Sequence, residues 1–348
     1  MAQGTEKEVL GAGAGMSGAI ALESGVELGE LEVKARGYWE QVWRRFKRDK
    51  IAIGGGITII LLILIAFIGA PIAQAILGHG PDEPFFTAMN SQGQPIGPLS
   101  WADDPLHPGH KVFLLLGADS TLGRDEFMRL LYGAQVSFEV ALLSTIGSMS
   151  IGVLLGAMAG YFRGWVDTVV SRVTEITMAF LALLFIIALA STVGDKLNNI
   201  TFGVFAPGVV MLFMIFSVFG WFYPARIIRA VVMSLREKEF VEAARMVGSS
   251  DLRIIRSHIL PHLIAPIIVY STLAVAGFIL GEAGLSYLGV GIKLPTSSWG
   301  NLLQQASDYY TTQPWLMVWP GLAVLITTLS FNLLGDGLRD AFDPRATH

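Results

Sequence analysis

Residues 51–70 form a run of twenty without a single charge, and this run constrains the fold more than any other feature of the chain. A bilayer's hydrocarbon core is about 30 Å thick, and a helix rising about 1.5 Å per residue needs roughly twenty apolar residues to cross it. Further apolar runs of adequate length lie at residues 136–162, 173–193, 202–225, 263–281 and 315–334. Composition agrees, since 53% of the 348 residues are hydrophobic and only 15% charged, too little polar surface to coat a soluble globule of this size. The expected fold class is an all-α membrane protein with six transmembrane helices and both termini on the same side.

Lys and Arg decide which side. Residues 1–50 carry eight of them, seven between Lys34 and Lys50, and residues 226–256 carry seven more, whereas residues 285–314 hold only Lys293. By the positive-inside rule the N-terminus, the turn at Arg163, the loop over 226–262 and the C-terminus face the cytoplasm. The implied location is the inner, cytoplasmic membrane.

The segments divide accordingly. Residues 1–34, rich in Gly, Ala and Glu, read as a disordered cytoplasmic tail rather than a signal peptide, because a basic cluster and a true span follow them. Residues 35–50 read as an amphipathic elbow helix in the headgroup layer, with Trp39, Val42, Trp43 and Phe46 at helical spacing and Arg44, Arg45, Lys47 and Arg48 between them. Residues 51–70 form the first span and 71–135 an external loop. Residues 136–345 form a core of five further spans with the 226–262 loop between the fourth and fifth.

Inside the membrane, Gly152, Gly156 and Gly160 recur every four residues, leaving one helix face as bare backbone for a close neighbour. Gly277 and Gly281 repeat the spacing beside Ser271 and Thr272. Glu139 and Glu282 fall at the expected span ends, and Glu175 stands one turn from Arg172, where an ion pair suffices. No chain of acids or histidines crosses the spans as a proton relay requires.

Zero cysteines exclude disulfides, thiolate metal sites and a cysteine nucleophile. His107 and His110 lack a third metal ligand at a supporting spacing, and His258 and His262 are separated by Pro261. No catalytic residue and no metal site are therefore expected.

The 226–262 loop does not read as a slack connector. Residues 235–247 favour helix, with Ala243 and Ala244 giving a small-residue face beside Phe240, Val241, Met246 and Val247. Gly248 suits a left-handed cap, Ser249, Ser250 and Asp251 supply N-cap chemistry for a second helix, and Pro261 should disrupt that helix after Leu260. Apolar groups on such a water-facing hairpin imply a partner.

At this point the residues resemble a family. Glu242-Ala243-Ala244, three residues, Gly248, then Ile259-Leu260-Pro261 is similar to the EAA signature of ABC importer permeases, with His258 where the signature carries an isolated Ile. Leu116-Gly117-Ala118-Asp119, Leu122-Gly123-Arg124-Asp125 and Arg129-Leu130-Leu131-Tyr132-Gly133-Ala134 resemble the C-type permease of dipeptide and oligopeptide importers. So do Gly284-Leu285-Ser286-Tyr287-Leu288-Gly289, Pro295, Ser298-Trp299-Gly300-Asn301 and the closing Asn332 to Arg345 segment. The likeness covers roughly residues 36–346, leaving out the acidic tail and part of the external loop.

The resemblance implies a permease subunit that couples ATP hydrolysis by two separate ATPase subunits to uptake of peptides or related small solutes. ATP and magnesium belong to those partners: no lysine here follows a glycine, so the chain has no Gly-x4-Gly-Lys phosphate loop and needs no cofactor of its own. Further implied partners are a second homologous permease, an extracytoplasmic solute-binding protein, a peptide-like substrate and the lipid bilayer, but no nucleic acid. Glu242, Ala243, Ala244, Gly248, Ile259, Leu260 and Pro261 are the implied ATPase-coupling residues. The alternatives are a non-peptide cargo such as a nickel chelate or glutathione, and an ion-coupled secondary transporter, which would want inverted repeats and broken helices.

Overall fold

The computed structural model describes residues 38–104, 109–119, 122–179, 185–192 and 206–343. Every contact discussed below lies within one compact unit that begins at Val42. The expected tail at 1–34 and His107 lie outside the described residues.

Helices α1 (Tyr38–Phe46) and α2 (Lys50–Leu64) open the chain, and Asp49 caps α2 by accepting from the Ile51 and Ala52 amides at 3.0 Å. A π turn over Ile65–Gly69 leads into α3 (Ala70–Leu77), so the first apolar helix runs over Lys50–Leu77, past the expected end at 70. A short antiparallel hairpin follows, β1 (Ser100–Asp103) with β2 (Lys111–Leu114). Then come α4 (Glu126–Phe162) and α5 (Gly164–Ala179), a helical stretch over 185–192, α6 (Val209–Gly220), α7 (Phe222–Leu235), α8 (Glu239–Met246) and α9 (Asp251–Ile254). The chain closes with α10 (Ile264–Tyr287), α11 (Trp299–Ala306) and α12 (Trp315–Phe342).

Five helices among the described residues are long and apolar enough to cross a membrane: Lys50–Leu77, Glu126–Phe162, Val209–Leu235, Asp251–Tyr287 and Trp315–Phe342. The expected third span, 173–193, coincides with part of α5 and the 185–192 stretch, while 180–184 and 193 lie outside the described residues.

α4 is the axis of the bundle, packing on α6, α7 and α10, while α12 joins α10 to α2. At about 1.5 Å per residue its 37 residues span about 55 Å, well beyond the hydrocarbon core, so both ends project from it. Its start, ten residues before the expected 136, is set by Asp125, which accepts from the Phe127 and Met128 amides at 2.8 and 3.4 Å.

Two expectations about the 226–262 loop are corrected. Helix does not run unbroken over 235–247, because α7 continues through Arg226 and Arg229 to Leu235 and the chain turns at 236–238 before α8. Those arginines stay helical because Arg229 pairs with Asp167 of α5 and Arg226 donates to Met178 Sδ. Nor does Pro261 end the second helix. A π turn over Ile255–Ile259 and a 3-10 turn over Leu260–Leu263 carry the chain into α10, the extra residue relieving the clash between a proline ring and the carbonyl four residues earlier. The same device, a π turn followed by Pro71, links α2 to α3.

Candidate functional site

The hairpin α8–turn–α9 stands at the end of α4 that carries Tyr161. Its inner side is apolar and closed: Val241, Ile254, Ile259 and Leu263 are fully buried against Ala157 and Tyr161 of α4 and Ile228 and Val232 of α7, with Ala244 packed at the edge. Gly248 makes the turn at φ +83°, where the Ser249 amide donates to the Ala244 carbonyl at 3.0 Å. The outer side is apolar and open. Met246 is 83% exposed, Val247 87% and Leu252 75%.

The structure thus divides the expected coupling residues between two faces. Ile259 and the half-buried Ala244 belong to the inner face, while Glu242, Ala243, Leu260, Pro261 and Gly248 are exposed. Phe240, on the same helix, lies against the His262 ring at 5.1 Å.

Polar clamps that the motif reading missed hold this hairpin to the bundle. Tyr161 Oη lies 2.6 Å from Asp251 Oδ1, with the Arg245 and Arg236 guanidinium groups 5.3 and 5.8 Å from its ring centre. Arg163 Nη2 donates to Glu237 Oε1 at 2.5 Å, and that guanidinium holds the Glu237 carboxyl below its ordinary pKa. The sequence signal was present but indirect: a tyrosine ending an apolar run, and arginines two turns apart across the loop.

The glycine stripe faces α7. A Cβ on Gly152, Gly156 or Gly160 would lie 2.8 Å from Pro224 Cγ, 2.6 Å from the Ala225 carbonyl oxygen and 2.7 Å from the Arg229 carbonyl oxygen respectively. The second pair is uneven. Gly281 faces the Phe216 ring at 3.1 Å, but nothing lies within 4 Å of a Cβ on Gly277, so that position holds no neighbour close.

A groove of about 800 Å³ rises from Leu252 and Arg256 between α4 and α10, past Ser150 and Thr145 on one wall and Ser271 and Thr272 on the other. Its lining is otherwise hydrocarbon. Glu282, expected at a span end, is instead fully buried inside α10, accepting from Ser137 and Ser286 hydroxyls at 2.7 Å each. Glu175 does pair with Arg172, at 2.8 Å.

At the opposite end of α4 charges are buried. Arg129, with no exposure, reaches Asp119 at 2.9 Å and Asp82 at 3.1 Å, and donates to the Pro295 carbonyl at 3.3 Å. Arg124 pairs with the same Asp119 at 2.8 Å and donates to Gln305 of α11. His79, just beyond α3, lies 2.9 Å from Asp125. Burial pulls the His79 pKa down, but the hydrogen bond and charge of Asp125 outweigh it and raise the value overall. Among the described residues no group of three or more His, Asp or Glu is placed to hold a metal ion.

Comparison with known proteins follows this geometry. Residues 152–348 match the family of binding-protein-dependent transport system inner membrane components, and residues 37–93 match the N-terminal transmembrane domain of oligopeptide transport permease C. The chain is 34% identical to the glutathione transport system permease protein of Pectobacterium atrosepticum over 307 residues, covering 88% of this chain and 91% of that one. It is 35% identical to the dipeptide transport system permease protein of Alkalihalophilus pseudofirmus over 309 residues, covering 88% and 90%. With a buried glycine-packed bundle, a half-open hairpin and these matches across most of its length, the chain belongs to the inner membrane components of binding-protein-dependent transport systems, with a permease C type of N-terminal region.

Proposed function

We propose that this chain is one half of the translocation pore of an ABC importer for small peptides, including glutathione-like ones, and that the α8–α9 hairpin is its transmission element. The observation that carries this reading is the hairpin's two-sidedness. One face is locked into the bundle by Val241, Ile254, Ile259 and Leu263, while Met246, Val247 and Leu252 stand in water at a cost that only a partner offsets. A separate ATPase subunit, which binds the ATP and magnesium, would take these three side chains into a groove. Its movement would reach the end of α4 through both Tyr161–Asp251 and Arg163–Glu237.

The remaining expectations belong to the same reading. A sixth span would pass through residues 173–193, both termini would face the cytoplasm, and α1 would lie as an elbow in the headgroup layer with Trp39 and Trp43 toward lipid. The 800 Å³ groove would form one wall of a path completed by a second, homologous permease. A solute-binding protein would deliver cargo at the opposite end. A nearly uncharged wall with hydroxyls at Thr145, Ser150, Ser271 and Thr272 suits a cargo recognised elsewhere and merely let through.

The test separates the faces. Leu252→Asp should leave the protein inserted and thermally stable while abolishing ATPase co-purification and peptide uptake; Gly248→Val, strained at φ +83°, should distort the turn and abolish uptake with the protein still inserted, and Ala244→Asp, at the edge of the inner face, should also abolish uptake. Wild-type uptake in all three would overturn the coupling assignment. Uptake of a nickel chelate but not dipeptides by the reconstituted system would overturn the cargo.

A further inference from the structure

The β1–β2 hairpin is a two-stranded sheet with two apolar faces, of which only one is covered. Strand alternation sends Ala102, Val112 and Leu114 inward, where they are buried with Phe85, Ala88 and Ala118. The other face carries the cross-strand pair of Trp101 and Phe113, with Leu99 and Leu115 exposed just beyond the strand ends. Leu99, 67% exposed, donates its amide to the Leu115 carbonyl at 3.2 Å, and Trp101, 62% exposed, stands opposite Phe113 with ring centres 5.1 Å apart. Leu99 sits at φ +57° in the turn just ahead of β1, a left-handed backbone uncommon for leucine.

The order of these pairs along the hairpin identifies what covers them. Its base, residues 96–97 and 117–118, abuts the ends of two spans: the Glu126 amide at the head of α4 donates to the Gly117 carbonyl, and Gly97 lies against the Trp315 ring at the head of α12. Moving outward from that base, exposed Leu99 and Leu115 come just before the strands, and the uncovered face of the strands then reads aromatic at Trp101 and Phe113 and charged at Asp103 and Lys111. A bilayer presents the same sequence of environments from hydrocarbon edge through interface to water, and tryptophan concentrates at the middle layer. The α12 helix that Gly97 abuts also exposes apolar side chains in the turns after Trp315, Val318 and Leu322.

We propose that the outer face of the β1–β2 hairpin rests in the headgroup layer of the outer leaflet, anchoring the cap that covers the external ends of α4 and α12. The inference rests on the span assignments of the proposed function but not on coupling or cargo. Across residues 103–111 the sequence carries one lysine, Lys111, and no arginine, against Asp103 and Asp104, so the attachment is interfacial burial of rings and aliphatic groups rather than attraction to anionic lipid.

The absence of cysteine makes the test direct. Trp101→Cys, Phe113→Cys, Leu115→Cys, Asp103→Cys and Lys111→Cys are each spin-labelled in the assembled transporter, in vesicles of phosphatidylethanolamine and phosphatidylglycerol, with Ile60→Cys on α2 as the bilayer reference. Collision with oxygen is measured against collision with a water-soluble nickel chelate. Labels at 101, 113 and 115 should favour oxygen several-fold over labels at 103 and 111, and the result at 115 stands with the Trp101–Phe113 ring pair intact. Equal ratios at 101 and 103, with the reference reading hydrocarbon, would overturn the proposal. Shielding of 101 from both reagents only on addition of the solute-binding protein would overturn it in favour of a protein-docking face. An aqueous reading at Ile60 would overturn the span assignment itself.

Discussion

The first and last turns of α4 meet opposite environments. Around Arg129 most charges are buried and answer one another within the chain: Arg129 and Arg124 share Asp119, half-exposed Asp82 also reaches Arg129, and His79 meets Asp125. Around Tyr161 the buried groups are apolar, the charges are at the surface, and large apolar side chains point into water on the α8–α9 hairpin. A desolvated charge is tolerable only with its partners permanently in place, so the first end must keep one arrangement. A hairpin held by greasy contacts and two surface clamps can shift as a body, which suits an element that is pushed.

Substitutions at the two ends should therefore fail differently. Arg129→Leu leaves buried Asp119 with Arg124 as its one remaining guanidinium partner and takes the contact from half-exposed Asp82, a loss of about 3 kcal/mol, and should sharply lower the melting temperature in detergent. Arg163→Ala, breaking the exposed clamp to Glu237, should leave melting unchanged while reducing uptake; a large drop in stability would erase the distinction. Between the ends, Gly156→Val forces a side chain against the Ala225 carbonyl and should cost about 1–3 kcal/mol, whereas Gly277→Ala, with open space around its Cβ, should be neutral or slightly stabilising in the same melting assay.

The smallest effect concerns pH. His79 faces the Asp125 and Glu83 carboxylates, the Leu77 carbonyl and the Phe85 ring, and its pKa is raised above the ordinary value of about 6.5. A raised histidine pKa gives stability that is complete below the unfolded value and is lost as pH climbs through the folded one. Amide exchange in residues 78–103 should therefore quicken slightly from pH 6 toward pH 8 beyond its intrinsic base catalysis, and His79→Gln should flatten that excess. An excess that grows toward acid would reverse the assignment.

Much of this was legible in residue order. Twenty uncharged residues at 51–70 demand a spanning helix wherever they are placed, and Gly248 between an Ala-rich helix and Ser-Ser-Asp demands a turn. The Gly152, Gly156 and Gly160 stripe announces a close neighbour through spacing alone. These are local or periodic signals, and the chain expresses them without knowing what lies opposite.

Helix extent was not legible, because it depends on distant partners. Arg129 and Arg229 fall in the expected loops until Asp119, Asp82 and Asp167 are brought beside them, and Glu282 reads as a boundary residue until Ser137 and Ser286 offer hydroxyls. Pro261 reads as a stop until a π turn spends one extra residue ahead of it. Which glycines touch a neighbour was likewise undecided, since Gly152 and Gly277 share a motif but only one meets a backbone across the interface. The sequence by itself determined where the apolar runs and turns must be; the tertiary structure alone decided which charges are affordable inside them, because the free energy of a buried charge is set by what surrounds it and not by its place in the chain.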